Sequence, residues 1–148
     1  MQVNTKTIVI ASGGFDPIHS GHINYLNEAA KLGNYLFVAV NSDAWLVRKK
    51  GKAFMEWNER ATIVQNLKPV DSVIAFDDFD GTAKDAIIKV RKYNLDAKII
   101  FANGGDRTKD NIPEMDIQDD NLEFVFGVGG ENKQNSSSWI LNSWKNKN

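Results

Sequence analysis

The sequence predicts an α/β protein built on a doubly wound parallel sheet of about five strands. Three observations carry that expectation. Apolar runs without polar alternation, such as residues 8–10 and Tyr35–Val40, mark strands covered on both faces, as strands of parallel sheets are. Helically spaced stretches fall between these runs, so strand and helix alternate. Gly-rich or polar segments follow the strands, where open α/β sheets bind ligands.

Taken in order, residues 8–10 (IVI) form a β-branched strand that ends in Gly13-Gly14. Residues 22–32 read as a helix with Ile23, Leu26 and Ala30 on one face, Ser20 as a cap and Gly33 as a left-handed stop. Tyr35–Val40 (YLFVAV) is the second strand. Residues 59–67 read as a helix and 72–76 as a strand. Residues 82–93 read as a helix opened by a Thr82-x-x-Asp85 capping pattern, with Ala83, Ile87 and Val90 inward. Residues 98–101 and 122–126 are further strands, and 138–144 a last helix with Ile140 and Trp144 four apart. The segments after strands, 12–22, 41–52, 103–111 and 128–138, are the candidate ligand loops.

The whole chain, residues 1–148, reads as one domain, long enough to bury a core without staples. The net charge of -1 provides no bulk positive field for nucleic acid, so a small ligand is expected. The chain has no cysteine, which excludes disulfides, thiolate metal sites and cysteine nucleophiles. The only apolar run before Ser12 is short, so no membrane partner and a cytoplasmic setting are expected.

Both histidines of the chain lie three positions apart, at His19 and His22, in "GGFDPIHSGH". A helix starting there points free amide donors and partial positive charge into the preceding loop. Gly21 lets a phosphate approach the backbone, and the two imidazoles can donate to its oxygens. Half of a metal site is the alternative reading, but no cysteine or third histidine exists to complete it. The dinucleotide fingerprint and the Walker loop are both absent. After strand two, Arg48, Lys49, Lys50 and Lys52 can neutralise a triphosphate or form a solvated basic loop. Asn103-Gly104-Gly105-Asp106 can pack against a base or ribose, or make an ordinary turn.

"GGFDPIHSGH" resembles the signature of the nucleotidylyltransferase superfamily, with His-x-Gly-His complete at His19 to His22. The chain is similar throughout to its small cytidylyltransferase-like branch, which includes glycerol-3-phosphate cytidylyltransferase and the heptose-phosphate adenylyltransferase domain. The resemblance implies a Rossmann-like nucleotidylyltransferase fold. It also implies transfer of CMP, or AMP, from CTP or ATP to a phosphorylated small alcohol or sugar, with Mg²⁺ carried by the substrate. A homodimer is implied as well. Carried onto this chain, it makes His19, His22 and Lys50 catalytic. It puts Gly13, Gly14, Phe15, Gly21, Lys52, Gly104, Gly105, Asp106, Ser136 and Ser137 at the nucleotide, and Asp16, Asp43 and Arg60 at the acceptor. For Arg60 the bland alternative is an exposed arginine paired with Glu56. Trp45 and Trp57 either line the acceptor pocket or pack a lid, and Trp139 and Trp144 belong to core or interface.

Two departures matter. Arg107 stands where the family often has an aromatic residue. "GVGGENKQNSSS" lacks the arginine of the family's Arg-Thr-x-Gly-Ile-Ser-Thr-Thr pattern, and Lys133 is its candidate substitute. The missing arginine supports an alternative function, a non-catalytic nucleotide-binding regulatory module of the same fold. A metal-dependent hydrolase built on His19 and His22 is a third reading.

Overall fold

The computed structural model describes residues 5–105, 107–108, 112–130 and 136–147. Five strands, β1 (Thr7–Gly13), β2 (Tyr35–Val40), β3 (Ser72–Ile74), β4 (Lys98–Ala102) and β5 (Leu122–Val125), form one sheet in the order β3-β2-β1-β4-β5. Every pairing is parallel. The helices are α1 (Ser20–Ala30), α2 (Asp43–Lys50), α3 (Trp57–Gln65), α4 (Lys84–Tyr93) and α5 (Ser137–Lys145), and a 3₁₀ turn spans Pro113–Asp116. This is the doubly wound α/β fold expected from the apolar runs. Among the described residues, no helix is long and apolar enough to cross a membrane.

The central strand shows why the runs are apolar at every position. Val9 and Ala11 belong to one buried cluster, with Leu26 and Ala29 of α1 and Val64 of α3. Ile8 and Ile10 belong to the other, with Ile87 and Val90 of α4. Successive side chains of a strand point to opposite faces, so a strand with two covered faces is apolar throughout. The chain winds outward through β2 and β3, then crosses back to lay β4 on the other side of β1. The strand order therefore reverses between β1 and β4, and a crevice opens at their carboxyl ends.

Three local expectations are corrected. Residues 43–50, read as a basic loop, form α2: Ser42 Oγ accepts from Trp45 N–H at 3.0 Å, and Gly51 closes the helix at φ 94°. Helix α4 starts at Lys84 without a side-chain cap. Asp85 accepts instead from Asp77 N–H at 2.7 Å, and Thr82 Oγ1 from Lys84 N–H at 3.2 Å, so the Thr82–Asp85 box does not form. Gly33 is not a left-handed stop. A Cβ there would lie 2.8 Å from Thr7 Cγ2 and 2.9 Å from Thr7 O, so glycine is needed for close approach to β1.

Thr7 O is itself fixed, because it accepts from Asn34 N–H at 2.8 Å. Gly33→Ala is therefore expected to cost roughly 1–3 kcal/mol, as overpacking against backbone does. Denaturant melts check this; an unchanged midpoint would contradict the contact.

Candidate active site

Helix α1 begins with an unusual cap. Ser20, the expected cap, is displaced by His19, whose Nδ1 accepts from Gly21 N–H at 3.0 Å. The bond is reciprocated three residues on, where His22 Nδ1 accepts from His19 N–H at 3.2 Å. This is a capping box made of two imidazoles. Their rings stack with centroids 3.8 Å apart. Phe15, buried and held at φ 52°, packs its ring edgewise on His22 at 5.0 Å. With Nδ1 accepting in both rings, the neutral tautomer carries its proton on Nε2.

Both imidazoles resist protonation. Burial lowers His19. Burial, the neighbouring His19 and the Lys50 ammonium bring His22 down to about 3. In the ligand-free protein the pair is therefore neutral at physiological pH, a pair of donors that carries no charge of its own. A polyanion beside them would favour uptake of a proton.

The loop from β1 to α1 is anchored from below. Asp16, 2 % exposed, accepts from Phe54 N–H at 2.6 Å and from Met55 N–H at 2.7 Å. Lys50 Nζ lies 3.4 Å from Asp16 Oδ2 and also donates to Asp16 O. Arg60, 1 % exposed, spreads its fork over the carboxyl ends of two strands. Nη1 donates to Gly14 O at 2.8 Å and Asn41 O at 2.7 Å, Nε to Met55 O at 2.9 Å and Nη2 to Asp43 Oδ1 at 2.6 Å. The acceptor contacts expected of Asp16 and Arg60 do not fit this geometry. Their polar atoms are turned to the protein, where they hold the loop. The exposed pairing of Arg60 with Glu56 is not found either.

A cavity of about 530 Å³ opens at the switch point. Gly13, Gly14, Phe15 and His22 contribute from the β1–α1 side, and Gly104 and Gly105 from the end of β4. A Cβ on Gly14 would meet Leu46 Cδ2 at 3.0 Å and Trp45 Cζ3 at 3.3 Å, so glycine here lets α2 pack closely against the loop. Lys49, rather than Lys50 or Lys52, is the lysine in the wall. Its ammonium sits 4.6 Å from the centroid of Trp45, which also lines the cavity. Trp57 is packed against the core and donates Nε1 to Val40 O at 3.0 Å.

Helix α5 meets the loop from its other flank. Ser136 caps it, accepting from Trp139 N–H at 3.1 Å, and Ser137 Oγ donates to Pro17 O at 2.8 Å. Two helix amino ends, those of α1 and α5, thus converge on residues 17–22. Trp139 and Trp144 are exposed rather than core. Asp106 and Lys133 lie outside the described residues.

Two cavity residues, Tyr25 and Glu114, had no role in the sequence reading, and Asn103 and Thr82 take roles other than those expected. Tyr25 donates its hydroxyl to Ala102 O at 2.7 Å, and burial pushes its phenol up. Asn103, buried at the end of β4, bridges Phe101 O and Val125 O. Glu114, 1 % exposed, accepts from Ala83 N–H and from Arg107 Nη2, each at 2.8 Å. Thr82 completes this wall. The Pro-Glu turn carries no motif that would have flagged Glu114. Beneath, burial would push Asp78 up, but hydrogen bonds from Ser42 and Asn41 hold it below the usual carboxylate range. Among the described residues, no group of three or more His, Asp or Glu side chains can hold a metal ion.

A family model described as "Cytidylyltransferase-like" matches residues 10–134. The chain is 32% identical over 145 residues to the bifunctional protein HldE of Syntrophotalea carbinolica, covering 95% of this chain and 28% of that protein. It is 35% identical over 128 residues to HldE of Hahella chejuensis, covering 85% and 24%. The chain thus spans about a quarter of the length of the curated relatives it matches. The lipopolysaccharide core biosynthesis protein of Thermoplasma volcanium superposes with a TM-score of 0.64 at 26% identity, covering 88% of this chain and 99% of that one. A putative nicotinate-nucleotide adenylyltransferase of Vibrio parahaemolyticus, at TM-score 0.60 and 15% identity over 94% and 86% of the two chains, shares the fold.

The neutrality of His22 sets a sign for stability. Its folded pKa lies below its ordinary 6.5, so between about 3 and 6.5 the unfolded chain binds a proton that the folded chain does not. The contribution is full above pH 6.5 and is lost as pH falls through that window. Denaturant melts are expected to lose about 2 kcal/mol between about pH 6.5 and 5, at roughly 1.4 kcal/mol per unit. His22→Gln keeps an N3 acceptor and should flatten that slope. A wild type whose stability is constant to about pH 5 would contradict the assignment.

Proposed function

The chain belongs to the cytidylyltransferase-like family, and on that premise we propose that it transfers CMP or AMP from CTP or ATP to a phosphorylated small alcohol or sugar. A phosphate oxygen of the acceptor attacks the α-phosphorus. The new P–O bond forms as the bond from the α-phosphorus to the bridging oxygen breaks, and pyrophosphate leaves with the electron pair. The attacking phosphate is already anionic, so no side chain has to remove a proton.

The observation that carries this reading is the imidazole capping box, whose His22 lines the cavity. A transferring phosphoryl group offers little covalent chemistry to a protein, so rate comes from positioning and from donors aimed at developing charge. Two Nε2–H donors, the partial positive charge at the amino ends of α1 and α5, and Lys49 in the cavity wall provide such a setting. Gly13 and Gly14 admit the nucleotide to the backbone, with Gly104 and Gly105 at its nucleoside end. Mg²⁺ brought by the triphosphate would supply charge neutralisation on the leaving pyrophosphate. A cytoplasmic setting, expected from the amino-acid sequence, and a homodimer, implied by the family resemblance, are part of the proposal.

Two substitutions separate the chemistry from the cap. His19→Asn keeps a strong N-cap acceptor and His22→Gln keeps the N3 acceptor, while each removes an imidazole donor. Each is expected to fold and to lose on the order of 100–1,000-fold in turnover, the usual cost of one such donor. Pyrophosphate release from CTP and from ATP, with a panel of phosphorylated alcohols and sugars, measures this. Undiminished turnover in both variants would remove the mechanism.

A further inference from the structure

In the proposed reaction a cation beside the incoming phosphate would offset the charge brought to the α-phosphorus. Arg60 cannot supply it, because its fork is buried on Gly14 O, Asn41 O, Met55 O and Asp43. Arg48 is turned to Asp78, and Arg91 binds Asp119 and the carbonyls of Asn94 and Ala97. Of the four arginines, Arg107 alone lines the cavity.

Arg107 is also held as a binding residue must be. Its Nη2 donates to Glu114 Oε1 at 2.8 Å. Glu114 is buried, and its other oxygen accepts from Ala83 N–H at 2.8 Å. The carboxylate thereby ties Arg107, which directly follows the β4 loop, to the start of α4. Arg107 N–H donates to Gly104 O at 3.2 Å, which fixes the backbone at the same point. A guanidinium has five donors in a rigid fork, more than one carboxylate oxygen can take, and that fork matches the oxygens of a phosphate. The two walls of the cavity then divide the work. His22 and Tyr25 of α1 form one wall. Arg107, Glu114, Thr82 and Ala83 form the other, with Lys49 and Trp45 of α2 beside them.

We propose that Arg107, positioned by the buried carboxylate of Glu114, binds the phosphate of the acceptor, a phosphate monoester. The assignment rests on the nucleotidyl-transfer reading, so binding is measured apart from turnover. Wild type, Arg107→Gln, Arg107→Lys and Glu114→Gln are titrated calorimetrically with glycerol 3-phosphate, glucose 1-phosphate and phosphoethanolamine, and separately with CTP and ATP. Melting curves establish that each variant folds. Should Arg107→Gln fail to fold, Arg107→Lys, which keeps the charge without the fork, decides the matter.

The expected result is that the tightest monoester loses about 10- to 100-fold in affinity in Arg107→Gln, the worth of one hydrogen bond to a charged group. Arg107→Lys recovers part of that loss. Glu114→Gln weakens monoester binding by a smaller factor, and triphosphate affinity moves less than about 3-fold in all three. Failure of every monoester to bind wild type overturns the proposal, as does an unchanged monoester affinity in the arginine variants or a loss confined to the triphosphate. Pyrophosphate release that is equal in wild type and Arg107→Gln would sink this assignment and leave the reaction standing. Arg107-dependent monoester binding without any pyrophosphate release would do the reverse.

Discussion

An α-helix starts with amide groups that no carbonyl of its own can reach, and something must accept from them. In α1 the acceptors are two imidazoles, His19 Nδ1 for Gly21 N–H and His22 Nδ1 for His19 N–H. This pair of bonds decides most of what the site can do. It sets the neutral tautomer and holds the rings in a stack, where burial and, for His22, the neighbouring His19 and Lys50 make protonation unfavourable. A serine or aspartate cap would satisfy the same amides but would leave no ring to present Nε2–H to a ligand.

A cap of this kind is useful only if the loop before it is immobile. Arg60 and Asp16 provide that rigidity. Arg60 ties the carboxyl ends of β1 and β2 together through Gly14 O and Asn41 O. Asp16 ties the β1–α1 loop to Phe54 and Met55. Both are charged groups buried with well-placed partners, the condition under which a buried charge is tolerated. Removing either would leave polar atoms buried without partners.

Much of the fold was legible because the residues report their own environment. The apolar run Tyr35–Val40 reads as a strand with two covered faces, and its alternation with helical stretches points to a parallel sheet. The position of the histidines at a helix start, after a strand and a Gly-Gly turn, was legible for the same reason. Helix α2 was missed because Leu46 is its one buried side chain and its last turn is all basic. Its signals were nevertheless present in Ser42, Asp43 and Gly51, a cap, a first-turn acid and a left-handed stop. The placements of Arg60 and Glu114 were not legible. Each is decided by backbone atoms distant in sequence, which meet only once the sheet has formed. His19 as cap was hidden by Ser20, the better cap by propensity, which lost because His22 reciprocates with His19.

The central claim is that both rings accept through Nδ1 and present Nε2–H. Long-range ¹⁵N–¹H correlation spectra of the imidazoles test it most directly, since the chain has only two histidines. In the ligand-free protein both rings are predicted to be neutral Nε2–H tautomers, with His22 staying neutral down to about pH 5. A proton on Nδ1 of either neutral ring, or a His22 that titrates near its ordinary 6.5, would contradict the account.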